Sequence, residues 1–118
     1  MVIDAAVQVH RAAGPGLLES AYERMLEYEL LRRGQTVERQ KYLNLIYEDL
    51  EIERAYSVDL LVNDCLIVEV KSVEAVLPVH MKQVLTYLKL SNLHLGLLLN
   101  FGQTTLKAGG IHRLINGP

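Results

Sequence analysis

The segment Leu66-Ile67-Val68-Glu69-Val70-Lys71 constrains the fold more than any other part of the chain. It is apolar on both of its alternating faces, as a strand is when helices cover both sides of its sheet. Two charges, Glu69 and Lys71, nevertheless stand in it. A second apolar run, Val58-Asp59-Leu60-Leu61-Val62, carries one more charge, Asp59. Charged side chains in interior strands are expected to be paired or bound to metal.

The surrounding pattern supplies the covering layers. Val2, Ala5, Ala6, Val9 and Ala13 follow helical spacing up to Gly14-Pro15-Gly16, which cannot continue a helix. Because this pattern is under way at Val2, a short preceding piece of chain is expected. A second helix is predicted over residues 17–33, with Leu18, Ala21, Tyr22, Met25 and Leu26 on its apolar stripe and Gly34 as its C-terminal cap. Strands are predicted over 37–46 and 52–62, with Tyr47-Glu48-Asp49 as the turn between them. The buried strand from Leu66 follows. Pro78 to Leu90 reads as a third helix, with Met81, Val84, Leu85 and Leu88 buried, and 95–99 and 111–115 as two more strands. The order α-α-β-β-β-α-β-β implies an α/β fold with a central mixed sheet flanked by helices.

A length of 118 residues, half of them hydrophobic, predicts one domain over residues 1–118 with one real core. The net charge of −2 provides no globally basic surface for sequence-independent nucleic-acid binding. A bound divalent metal would add positive charge where a phosphate must sit. A single cysteine, Cys65, forms no internal disulfide, which fits a reducing, cytoplasmic location. No signal pattern or membrane-spanning apolar stretch is read, so no membrane partner is expected.

Glu69 and Lys71, two apart, share one face of their strand. With Asp59 on the neighbouring strand they make an oxygen-rich site suited to Mg²⁺ or Mn²⁺, with a lysine able to orient a water or contact a phosphate. The same residues also suit a Lys–Asp–Glu ion pair at a sheet edge without metal, and spacing does not separate the two readings. Register does bear on them. A two-residue turn at Asn63-Asp64 pairs Val62 with Cys65 and sends Asp59 and Glu69 to opposite faces. An odd loop, or a bulge, pairs Asp59 with Glu69 on one face. A shared cation therefore requires an odd loop or a bulge here, although Asn-Asp favours two residues.

Asp59, nine residues, then Glu69-Val70-Lys71 resembles the PD-(D/E)XK nuclease signature. Gly16-Leu17-Leu18-Glu19-Ser20-Ala21-Tyr22 matches the name-giving motif of the GxxExxY family within that superfamily. Val9-His10-Arg11, Pro78-Val79-His80, Gln83 through Tyr87 and Gly96 through Gly102 also look like that family. The resemblance covers essentially the whole chain. It implies a restriction-endonuclease-like core and a Mg²⁺- or Mn²⁺-dependent nuclease. Asp59 and Glu69 would be the principal ligands, with the Val70 carbonyl and Glu19 as further metal-side groups. Lys71 would orient the attacking water, and Gln83 with Tyr87 would support the lysine or the phosphate. Val58 replaces the proline of the signature, a departure common among relatives.

The implied substrate is DNA, with RNA or a small phosphate ester as alternatives. A catalytically weak binding or assembly module of the same fold is the reading from another class, and a homodimer is the expected assembly on a duplex. Other residues have ordinary readings. Glu19 also suits a helix's first turn; Tyr22 fits the core, His10 a satisfied structural role, His80, Gln83 and Tyr87 a solvated helix face, and Lys82 and Lys89 solvated lysines. Cys65 has no zinc partners, and no Gly-x-Ser-x-Gly elbow or phosphate-binding Gly-Lys loop is present.

Overall fold

The computed structural model describes residues 1–117. Two helices open the chain, α1 (Val2–Ala13) and α2 (Glu19–Arg32). Strands β1 (Val37–Tyr47), β2 (Leu50–Val62) and β3 (Leu66–Lys71) follow, then α3 (Pro78–Ser91), β4 (Leu95–Asn100) and β5 (Ile111–Ile115). This is the predicted order. The strands form one five-stranded sheet, β1-β2-β3-β4-β5, so the doubly apolar β3 lies at its centre. Only the β3–β4 pair is parallel, and α3 makes the crossover that a parallel pair needs.

Helices cover both faces. Leu60, Val62, Val68, Val70, Leu97 and Leu99 pack under α1 and α2. On the opposite face Val58, Ile67, Leu98 and Leu114 pack against Val84, Tyr87 and Leu88 of α3. The stripe of α2 is rotated from the expected one: Tyr22, Glu23, Leu26 and Leu30 are buried, whereas Leu18 sits at the N-cap and is 76% exposed. Gly34 ends α2 at φ 81°, donating to Leu31 O while Gln35 donates to Leu30 O. This double bond satisfies two of the helix's last carbonyls and needs the left-handed conformation that glycine adopts readily.

The hairpin between β2 and β3 resolves the parity question. Asn63 and Asp64 both have positive φ, and Cys65 N–H donates to Val62 O, the tight turn that Asn-Asp favours. The ladder nevertheless pairs Val62 with Leu66, Leu61 with Ile67 and Leu60 with Val68. Cys65 is thus the one extra residue, and the count brings Asp59 opposite Glu69.

β1 and β2 extend well past the rest of the sheet as a two-stranded arm, with a bulge between Leu43 and Leu45. No helix among the described residues is long and apolar enough to cross a membrane.

Candidate active site

The β2–β3 ladder ends at Leu60 and Val68 although both strands continue. Two side chains replace the missing backbone bonds. Asp59 N–H donates to Glu69 Oε1 at 2.8 Å, and Val70 N–H donates to Asp59 Oδ2 at 2.8 Å. Each acid therefore clasps the backbone beside the other. In a strand, the N–H and C=O of one residue point to the same side. The Val70 carbonyl is thus directed toward the same gap as its N–H.

The clasp leaves Glu69 Oε2 without a hydrogen bond among the described residues, and Asp59 Oδ1 holds only a long contact, 3.4 Å from Gln40 Nε2. Glu69 is 4% exposed. Burial first, then the charge of Asp59, pushes its carboxyl up to about 8, against the Asp59 N–H and Lys71, which pull it down. Asp59 is also raised, by burial first and with Glu23 adding to it, while the Val70 N–H opposes. Tyr87 of α3 faces the same acids: burial, then Glu69 and Asp59, pushes its phenol up to about 12, and a side-chain hydrogen bond from Gln83 opposes this. Tyr87 is therefore buried against the site, not on a solvated face.

Lys71, at the end of β3, forms no ion pair with either carboxylate among the described residues. The ion-pair alternative is not what this arrangement contains. Beyond Lys71 the chain is anchored twice. Ser72 N–H donates to Glu19 Oε2 at 3.0 Å, which ties the first turn of α2 to the end of β3. Buried Asn100 accepts from Val73 N–H and donates to Val73 O, each at 3.0 Å.

The donor set fits a hard cation. No three His, Cys, Asp or Glu side chains close on one point among the described residues. Two carboxylates, a backbone carbonyl and water are the all-oxygen, water-retaining set that Mg²⁺ or Mn²⁺ accepts. Carboxylates that resist ionisation when unaccompanied are also those a divalent charge would stabilise most.

Sequence reasoning missed Glu23, which is 4% exposed on the buried stripe of α2. Its Oε1 accepts from Arg39 Nε at 2.9 Å and from Gln40 Nε2 at 2.7 Å. The available signal was its place one turn after Glu19 on the same helix. Other residues serve the frame. Tyr22 is fully buried, stacks on Phe101, donates to Gly14 O and accepts from Leu17 N–H. His10 Nε2 lies 3.1 Å from Phe101 O and 2.9 Å from Gln103 O. His80 Nδ1 accepts from Leu77 N–H at the start of α3.

Neither curated proteins nor solved structures gave a match. A family model described as the PD-(D/E)XK nuclease superfamily matches residues 1–114, so nearly the whole chain is covered, including every residue of the clasp. The chain belongs to the PD-(D/E)XK nuclease superfamily.

Proposed function

We propose that this protein is a metal-dependent nuclease of the GxxExxY type, hydrolysing phosphodiester bonds in DNA. The observation that carries this reading is the reciprocal Asp59–Glu69 clasp at the split of β2 from β3. Asp59, Glu69 and the Val70 carbonyl would hold Mg²⁺ or Mn²⁺, with Glu19 orienting the backbone that follows Lys71 and joining the metal side through water. When bound, the cation supplies an acidified water and offsets phosphoryl charge. Lys71, in no ion pair among the described residues, is available to orient the water that attacks phosphorus or to contact a phosphate oxygen. Gln83, one helical turn before Tyr87 on α3, supports the substrate side. The test is a cleavage assay with Mg²⁺ and Mn²⁺ on linear, nicked, branched and single-stranded DNA and on RNA, with Glu69→Ala as control. Metal-dependent DNA cleavage lost in the control is expected; no cleavage of any substrate refutes the reading, and cleavage of RNA alone moves the substrate class.

One observation favours assembly as well. On the β1–β2 arm, Ile46 and Tyr47 are each 68% exposed, beside the acids Glu48, Asp49 and Glu51. Between α1 and α2 lies a groove of about 410 Å³, lined by Val9, Ala12, Met25 and Tyr28 with Gln8, Arg24 and Glu29. The exposed apolar tip of the arm matches the apolar part of this lining, so the arm of one copy is proposed to dock in the groove of a second. Light scattering should show a dimer that Tyr47→Glu dissociates. A wild-type monomer at all concentrations, with and without DNA, refutes this assembly.

A further inference from the structure

Strands β1 and β2 change faces at a single position. Val37 packs under α1 and α2 and Arg39 reaches Glu23 of α2, yet Leu43 packs on the α3 side. β2 mirrors this: Leu60 and Val62 face α1 and α2, while Val58 and Tyr56 face α3. Residues two apart in a regular strand share a face, so Val58 and Leu60 could not differ without a local twist. The ladder count is nevertheless unbroken, with Arg39 opposite Leu60 and Lys41 opposite Val58. The residues between these pairs are Gln40 and Asp59. Gln40 has φ 52°, a left-handed backbone that a non-glycine residue adopts at a cost and that tends to persist where function requires it.

The Gln40 amide is engaged at both ends. Its Nε2 lies 2.7 Å from Glu23 Oε1 and 3.4 Å from Asp59 Oδ1, and its Oε1 accepts from Ser57 Oγ at 2.6 Å. Carboxylate oxygens on one side and a donating hydroxyl on the other fix which end of the amide is nitrogen. Glu23 is in turn held by Arg39. Asp59 Oδ2 is thus held by Val70 N–H, while its Oδ1 keeps one long contact with Gln40, which bridges two acids without adding a charge and leaves Oδ1 open on its other sides.

We infer that Gln40 is a positioning residue of the cation site: held by Glu23 and Ser57, it fixes the plane of the Asp59 carboxylate. This rests on the reading of Asp59 and Glu69 as cation ligands. Removal of a group that orients a ligating side chain commonly costs 10- to 100-fold in metal affinity. Glycine suits the left-handed backbone, so relief there offsets lost contacts in Gln40→Gly.

The test is Mn²⁺ calorimetry on the full chain, paired with thermal melting of the metal-free protein. Gln40→Gly is expected to melt within about 3 °C of wild type yet bind Mn²⁺ at least about tenfold more weakly. Ser57→Ala, which frees the amide to turn over, is expected to weaken binding in the same direction. Wild-type affinity in Gln40→Gly overturns the inference. Parallel loss of melting temperature and affinity also overturns it, because Gln40 is then only structural. If the wild type itself binds no Mn²⁺, the reading of the site fails and this inference with it.

Discussion

Replacing Glu69 by glutamine should make the metal-free protein more stable at alkaline pH while removing its metal site. The folded protein raises the Glu69 carboxyl from 4.5 to about 8, chiefly by burial and by the charge of Asp59. Between those values the native state keeps a proton that the unfolded chain has lost. Stability therefore falls as pH rises through this window, and the full penalty is present above about pH 8. At about 1.4 kcal/mol per tenfold change, the ceiling is roughly 5 kcal/mol, shared with the coupled Asp59 carboxyl. Glutamine keeps an oxygen for the Asp59 N–H and never ionises. Glu69→Gln should then exceed wild type by on the order of 3 kcal/mol at pH 9, or about 10 °C in melting temperature, and match it near pH 5. Urea and thermal denaturation in chelator at pH 5, 7 and 9 measure this. A variant that is less stable than wild type at pH 9, or that shows the same difference at all three pH values, would refute the reasoning.

Two further outcomes follow from the same geometry. Lys71→Ala should lower the cleavage rate by at least about tenfold while Mn²⁺ affinity changes little, because the lysine makes no ion pair with the acids among the described residues; a wild-type rate removes it from the mechanism. Tyr22→Phe should cost about 1–3 kcal/mol in a urea melt by leaving Leu17 N–H and Gly14 O without their partner, with Mn²⁺ affinity intact; a loss of affinity would place this tyrosine in the site and not in the frame.

The elements were legible because their signals are local. Gly14-Pro15-Gly16 stops α1, Gly34 caps α2, and the doubly apolar β3 could lie only at the centre of a covered sheet. The Asp59–Glu69 pairing was legible only through parity: it needed one residue more than the Asn-Asp turn, and Cys65 supplies it. Glu23 and Gln40 were hidden because their contacts are tertiary. Glu23 is satisfied from a strand 16 and 17 residues further on, and neither residue type nor spacing announces that Gln40 will take a positive φ. Leu18 misled because the apolar spacing of α2 runs past the helix's true start, leaving it at an exposed cap. Tyr87 misled in the opposite sense: its polar neighbours on α3 suggested solvent, but its ring packs against Tyr56 and is buried with Val58 and Ile67 of the sheet.

The central claim is that Asp59 and Glu69 jointly hold a divalent cation where β2 separates from β3. Isothermal titration of Mn²⁺ into wild type and into Asp59→Asn/Glu69→Gln, at a pH above about 8, past the raised value of Glu69, tests it most directly. The account predicts saturable binding in the wild type with proton release diminishing as pH rises, and no binding at this site in the double variant. Equal Mn²⁺ affinity in the two proteins would contradict it.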